Sequence, residues 1–291
     1  MTILVTAAGG QLGHLVIDAL LDRGVAPGDI VAGARSTSKA ADLVERGIRV
    51  VPLDYTVPET IAAALDGVDT VLLISGSEPG SRYEGHRNVI DAAKSAGVAK
   101  LVYTSLAHAD AVEFVLAPDH LATEEYLSVS GVPAVVLRNN WYTENYTPDV
   151  LRAAETGVIA ASVGVATVAA ASRADYAEAA AVVLVEDGHL GRTYELSGDT
   201  AVSYADLAEA AAEVLGRDVA YVPVSREQFE AALADAGLDA GTVGFVAAME
   251  DGIARGVLAD ADPTLARLLG RPTTPVADGL RTAVAAARVN A

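Results

Sequence analysis

The 291-residue chain has no cysteine. Disulfides, thiolate nucleophiles and cysteine-based metal sites are therefore excluded. Lysine is almost as scarce: Lys39, Lys94 and Lys100 are the whole complement. With 20 basic residues against 39 acidic ones the formal net charge is −19, the opposite of what a nucleic acid or an anionic membrane surface recruits. No apolar run reaches the ~18–20 residues that span a bilayer. The first residues read directly as a strand, with no basic stretch or cleavage site, so no signal peptide is read and a cytoplasmic protein is expected. Internal repeats, low-complexity tracts and flexible linkers are lacking too, and so is a Gly-x-Ser-x-Gly elbow, which removes support for a serine hydrolase.

What is present starts at once. Ile3, Leu4 and Val5 form a buried-strand run, and a turn of small residues follows. Leu12, Val16 and Leu20, with Leu15 and Ala19, then recur at helical spacing. Strand, tight turn and helix make the phosphate-binding opening of a dinucleotide fold. Small residues let main-chain N–H groups approach a pyrophosphate, and the helix N-terminus adds partial positive charge. The usual spacing is Gly-x-x-Gly-x-x-Gly. Gly10 and Gly13 fit it, but position 7 is alanine and Gly9 is extra. The expectation is that Ala7 keeps an ordinary backbone conformation or that Gly9 takes over part of the turn. A plain strand-to-helix turn without a ligand is the competing reading.

The rhythm repeats. Residues 29–35, 48–54, 69–74, 100–105 and 134–138 read as strands, with helices over 58–67, 85–96 and 118–130. Pro52 marks the third strand as weakened or edge-like. Alternating strands and helices predict an α/β, Rossmann-type doubly wound parallel sheet. Its loops 6–13, 75–82, 105–118 and 139–145 would gather at the carboxyl ends of the strands, where such sheets bind ligands. Residues 1–150 are expected to form the nucleotide-binding domain. The stretch 172–200 returns to it through an alanine-rich helix after Ser172 and a strand at 193–197. Residues 151–171 and 201–291 would form a smaller, mostly helical substrate lobe around one strand at 219–224. Past the second strand come Arg35, Ser36, Thr37, Ser38 and Lys39. Arginine with hydroxyls and a nearby lysine at this point suits a 2′-phosphate, so NADP(H) is favoured, with NAD(H) possible; a solvated loop arginine is the alternative.

Several stretches together carry a family resemblance: Gly9-Gly10-Gln11-Leu12-Gly13, Leu72-Leu73-Ile74-Ser75-Gly76-Ser77-Glu78-Pro79-Gly80, His86-Arg87-Asn88-Val89-Ile90-Asp91-Ala92-Ala93, Tyr103-Thr104-Ser105, Leu137-Arg138-Asn139-Asn140-Trp141-Tyr142-Thr143-Glu144-Asn145-Tyr146 and Gly270-Arg271-Pro272-Thr273-Thr274-Pro275. The chain resembles the NmrA-like, atypical short-chain dehydrogenase/reductase group, within it the NAD(P)H:quinone oxidoreductases related to triphenylmethane reductase. Ala7 departs from the family glycine. Typical short-chain dehydrogenases use Tyr-x-x-x-Lys, in which lysine lowers the tyrosine pKa. None of the ten tyrosines here has lysine four positions on; the corresponding helix carries His120-Leu121-Ala122-Thr123-Glu124. A quinone or cationic dye, whose reduced form delocalises charge, needs less acid help, and hydride placement does most of the work.

The resemblance implies an NADPH-dependent oxidoreductase acting on a quinone or similar conjugated aromatic electrophile. The cofactor would lie across Thr6, Ala8, Gly10, Gln11, Leu12 and Gly13, with Arg35 and Lys39 on the 2′-phosphate and Asp54 bordering the adenine. Leu73, Ile74 and Ser75 would line its middle, and Ser105 and His120 its nicotinamide end, where these two are the candidate catalytic residues. Arg82, Asn139, Trp141 and Tyr142 are candidate substrate contacts. For His120 a structural imidazole, and for Trp141 and Tyr142 plain packing, are the competing readings. His86 and Arg87 are expected at a helix start and its surface. His120 and Glu124 have a metal-like spacing without a third ligand, so no metal is expected. A non-catalytic NAD(P)-sensing regulator and a tailoring enzyme acting on polycyclic aromatics are the alternative functions. Whether the protein is a monomer or a homodimer stays open.

Overall fold

The computed structural model describes residues 1–76 and 82–289. Ser77, Glu78, Pro79 and Gly80 of the second matching stretch, and with them most of the expected loop 75–82, lie outside the described residues. Two compact units divide the chain. The first comprises residues 1–109, 118–139 and 173–195, the second residues 110–117, 140–172 and 196–291.

The first unit is built on β1 (Ile3–Val5), β2 (Ile30–Ala34), β3 (Arg49–Pro52), β4 (Thr70–Leu73), β5 (Lys100–Leu106) and β6 (Ala134–Asn139). The order across the sheet is β3-β2-β1-β4-β5-β6, and the strand Thr193–Leu196 completes it as a seventh beside β6. β1 pairs in parallel with β2 on one side (Leu4 opposite Val31) and with β4 on the other (Leu4 opposite Val71). The chain reverses direction across the sheet at β1, which creates the crevice at the carboxyl ends where such sheets bind ligands. The central strands are buried along nearly their whole length because both faces are covered. β3 lies at the edge and is partly exposed. Pro52, which has no N–H to give, is tolerated there as expected.

Helices α1 (Gln11–Asp22), α2 (Ala41–Glu45), α3 (Pro58–Ala64), α4 (Arg82–Ala96) and α5 (Ala117–Ser130) connect the strands. The doubly wound α/β fold read from the sequence is the fold observed. The helix Arg173–Val185 packs against α1, and Ala177, Ala179, Ala180 and Ala181 are buried along it. Lys100 Nζ caps its C-terminal end, donating to the carbonyls of Val183, Leu184 and Glu186. On the opposite side, Val89, Ile90 and Ala93 of α4 join Leu73, Leu101 and Tyr103 in one core cluster.

The second unit contains the helices Thr147–Thr156, Tyr204–Leu215, Arg226–Asp235, Ala240–Ala254, Thr264–Leu269 and Val276–Val289. The strand expected at 219–224 is Ala220–Pro223, paired in parallel with Val158–Ala161. Ser203 and Asp206 form a reciprocal capping box at the start of Tyr204–Leu215, and Gly216 (φ 66°) ends that helix in the left-handed conformation.

Candidate functional site

The turn between β1 and α1 is closed by backbone contacts. Ala8 N–H donates to the Gly33 carbonyl at 2.9 Å, and Gly10 N–H to the Ala7 carbonyl at 2.9 Å. Ala7 itself adopts φ 49°, whereas Gly9 is not among the residues with positive φ. This corrects the expectation that Ala7 would stay ordinary or that Gly9 would absorb the strain: alanine occupies the left-handed position. A Cβ on Gly13 would fall 2.6 Å from the Ala7 carbonyl oxygen and 2.7 Å from the Ala8 Cα. Only glycine lets α1 start this close to the turn.

Gly10 is the N-cap of α1 and offers no side chain, and the first turn holds no acid. The first intrahelical bond runs from His14 N–H to the Gly10 carbonyl. The N–H groups of Gln11, Leu12 and Gly13 therefore have no acceptor inside the helix. Gln11 Oε1 accepts from Arg173 Nη1 at 2.8 Å, which brings a guanidinium to the same helix end. Arg173 is not among the residues expected at the site. Its only signal was its place at the start of the returning helix.

The segment 35–39 after β2 is exposed and sits against the turn. A Cβ on Gly9 would lie 3.2 Å from Lys39 Cβ and 3.7 Å from the Ser36 carbonyl. Asp54 Oδ1 accepts from Thr56 N–H and Oγ1–H at 2.9 and 2.7 Å. These bonds, helped by the Arg35 charge, hold the carboxyl below its usual range.

At the crossing of β1 and β4, Tyr55 donates to the Ile74 carbonyl at 2.7 Å, and Ile74 N–H donates to Thr6 Oγ1 at 3.0 Å. With those protons placed, the Thr6 hydroxyl donates to Tyr55 Oη at 2.5 Å. The three groups form a closed circuit that fixes the main chain leaving β4. Tyr55, absent from the expected site, fits because α4 carries Gly85, where a Cβ would lie 3.0 Å from Tyr55 Cβ. The Leu73 side chain is wholly buried in the core; Ile74 and Ser75 follow it along the main chain leaving β4. Ser75 N–H donates to Thr104 Oγ1 at 2.9 Å.

Beyond β4 lies a buried chain of polar rings. Gly76 N–H donates to His86 Nε2 at 2.9 Å. His86 Nδ1 lies 3.0 Å from Thr123 Oγ1, whose own proton goes to the Asp119 carbonyl. His86 is thus the neutral Nδ1–H tautomer. It is buried, not on a helix surface as expected, and burial together with the Arg82 charge pushes its pKa down to about 4. His120 Nδ1 lies 2.9 Å from Tyr103 Oη and its Nε2 3.5 Å from Arg82 Nη1. A guanidinium only donates, so Nε2 accepts and Nδ1 holds the proton. Burial, and then Arg82, push its pKa down to about 3. The Tyr103 hydroxyl is pushed up by burial.

Ser105, at the end of β5, gives its proton to Glu124 Oε1 at 2.5 Å. Arg138 clamps that carboxylate, with Nη2 2.6 Å from Oε2, and reaches Glu195 Oε1 with Nη1 at 2.9 Å. His120 and Glu124 therefore serve different networks despite their spacing. Among the described residues no group of three His, Cys, Asp or Glu is placed to hold a metal ion, and no helix is long and apolar enough to cross a membrane. Asn139 is buried at the end of β6. Trp141 and Tyr142 belong to the second unit, half-buried, where Ala171 N–H donates to the Trp141 carbonyl and Tyr142 bridges Ala171.

A family model described as NAD(P)H-binding matches residues 7–187. Quinone oxidoreductase 2 of Escherichia coli (strain K12) is 44% identical over 278 residues, covering 96% of this chain and 97% of that protein. The crystal structure of an NADPH-dependent quinone oxidoreductase from Escherichia coli, complexed with NADPH, superposes with a TM-score of 0.91 at 43% identity, covering 97% of this chain and 99% of that one. The Citrobacter sp. triphenylmethane reductase complexed with NADP(H) gives a TM-score of 0.91 at 35% identity, over 97% and 100%.

Proposed function

The chain belongs to the NAD(P)H-binding family, and on that premise we propose that it is an NADPH-dependent oxidoreductase that passes hydride to a quinone or a similar conjugated aromatic electrophile. The observation that carries this reading is the end-to-end match, in sequence and in fold, to an NADPH-bound quinone oxidoreductase. The turn supports it. Its glycines leave no side chain between ligand and backbone, three N–H groups stand without intrahelical acceptors, and Arg173 adds positive charge. The turn closes despite Ala7, so alanine there gives the sensor alternative no support.

Within this proposal the main chain of residues 9–13 binds the pyrophosphate. Arg35 and Lys39 bind the 2′-phosphate, and Asp54 borders the adenine without competing for the phosphate, its Oδ1 being bonded to Thr56. Thr6 acts through the Tyr55 circuit, which holds Ile74 and Ser75 in place beside the middle of the cofactor. When bound, NADPH supplies the hydride. Ser105 marks the nicotinamide end, while His120, neutral and bonded at both ring nitrogens, stiffens that end rather than giving up a proton. On the first unit, Arg82 and Asn139 are assigned to the substrate. A cytoplasmic location belongs to the same proposal. Steady-state oxidation of NADPH and NADH with a panel of quinones and one triphenylmethane dye tests it. Quinone-dependent consumption with NADPH preferred is expected; binding of NADPH with no acceptor-dependent oxidation would overturn it.

A further inference from the structure

A quinone that accepts hydride becomes a hydroquinone anion and needs one proton to finish as a hydroquinone. Near the end of β5 the obvious donors are committed. Ser105 gives its proton to Glu124. Tyr103 is wholly buried, and His120 is enclosed between Tyr103 and Arg82. The remaining histidines are His14, His86, His108 and His189. His14 stands on α1 beside Asp42, His86 is buried under α5, and His189 precedes the last sheet strand, 2.8 Å from Tyr194 Oη.

His108 is set apart by its place and its backbone. It lies two residues past Leu106, the last residue of β5, at the carboxyl side of the sheet. Its side chain is 28% exposed. Its φ is 52°, one of two left-handed non-glycine residues among those described; the other is Ala7 in the phosphate turn. Such a conformation persists only where neighbours hold it, and it concentrates at functional sites. Glu195 holds it here: Oε2 accepts the His108 N–H at 3.0 Å, and Oε1 lies 3.8 Å from Nδ1. Oε1 is shared with Arg138, whose other edge clamps Glu124. Among the described residues the charged groups on this side of the ring include Glu195 from the last strand, then Arg138 from β6 and Glu124 from α5. A carboxylate beside one ring nitrogen orients an imidazole, and an oriented imidazole is the side chain most often used to pass a proton.

We propose that His108 donates the proton that completes the reduced product. The inference rests on the reductase reading. Hydride carries two electrons to the quinone, and NADPH leaves as NADP⁺. The O–H bond of the hydroquinone forms as the Nε2–H bond of the imidazolium breaks, and water restores the ring proton. The sum is quinone plus NADPH plus H⁺ giving hydroquinone plus NADP⁺.

The test uses the full chain with NADPH and 1,4-benzoquinone. Asparagine tolerates a left-handed backbone, so His108→Asn removes the ring without imposing strain. Its kcat should fall roughly 100-fold, the low end for an acid–base group, with the Kd for NADPH unchanged. His108→Gly should fall likewise, and free imidazole should restore its kcat by about tenfold or more. Independently of turnover, the histidine resonance missing from the proton NMR spectrum of His108→Asn should shift in the wild type when hydroquinone is added with NADP⁺. An H108N kcat within about twofold of wild type, a glycine variant that imidazole does not rescue, or an unmoved resonance each overturns the role. A wild type that oxidises no NADPH with any quinone overturns the reductase reading itself, and the role of His108 with it, before the variants are compared.

Discussion

Tyr55 donates its hydroxyl proton to the carbonyl of Ile74 across 2.7 Å. Nineteen residues separate them in sequence, and the bond ties the loop after β3 to the main chain leaving β4. Tyr55→Phe removes it and strips the Thr6 hydroxyl of its acceptor. The expected cost is about 1 kcal/mol in urea unfolding, the net worth of one such bond. NADPH binding should weaken several-fold, because Ile74 and Ser75 lose their tether. Unchanged affinity in a destabilised variant would confine the circuit to folding.

Ala7 and Gly13 make opposite predictions at one turn. Alanine at φ 49° carries about 1 kcal/mol of left-handed strain. Ala7→Gly relieves it but frees the unfolded chain by about 0.4–1 kcal/mol. Stability should barely change, and NADPH affinity should stay equal or improve. Gly13→Ala has no such freedom, since its Cβ meets main-chain atoms that cannot move aside. It should weaken NADPH by more than about tenfold and cost about 1–3 kcal/mol. Titration of both variants with NADPH checks the pair; weakened binding by A7G would show that the alanine methyl itself is required.

The two buried histidines predict an acid-sensitive fold. In the unfolded chain both rings take a proton near pH 6.5; folded, they resist to about 4 for His86 and about 3 for His120. Between those values the unfolded chain binds more protons, so acid favours unfolding. Their contribution is complete above about pH 6.5 and is lost as pH falls toward 4, at up to ~1.4 kcal/mol per pH unit for each ring. Tm measured from pH 7 to 5 should decline, and less steeply in His120→Gln. Identical slopes would mean that His120 titrates as freely in the folded protein as in the unfolded one.

Much of this was legible in the sequence, and the rest was hidden for physical reasons. Short stretches with an apolar centre such as residues 69–74 and 100–105, set between helical patterns, read as buried strands. Pro52 at the edge and the strand returning at 193–197 followed from backbone chemistry and alternation. The left-handed Ala7 was not legible, because its conformation is imposed by Gly13 and α1 closing on it. Tyr55, His86 and the Arg138 clamp were missed because their partners are remote: Arg138 lies 14 residues from Glu124 and 57 from Glu195. The strands Thr167–Val168 and Val202–Ser203 are too short to show any period. The helix Thr147–Thr156 did carry signals, a proline in its first turn and Gly157 at its end.

Cofactor choice isolates Arg35. The molecule is acidic overall, but charges beyond a Debye length of roughly 8 Å are screened, so neighbours decide. Arg35 can meet a 2′-phosphate with paired charge-assisted bonds. Arg35→Ala should weaken NADPH by roughly 10- to 100-fold and leave NADH nearly unchanged, at about 1.4 kcal/mol per decade. Asp54 stays ionised through Thr56 in either case. Dissociation constants for both cofactors at fixed salt decide it; an equal loss for both would remove Arg35 from the phosphate.

Hydride delivery to a quinone is measured most directly in a single turnover. The protein, in slight excess over NADPH, is mixed rapidly with 1,4-benzoquinone while the reduced-nicotinamide absorbance is followed. A quinone reductase should show a fast decay that consumes all bound NADPH, with a rate that saturates as quinone rises and with no comparable decay in protein lacking quinone. Bound NADPH whose absorbance persists through the addition of quinone would contradict it.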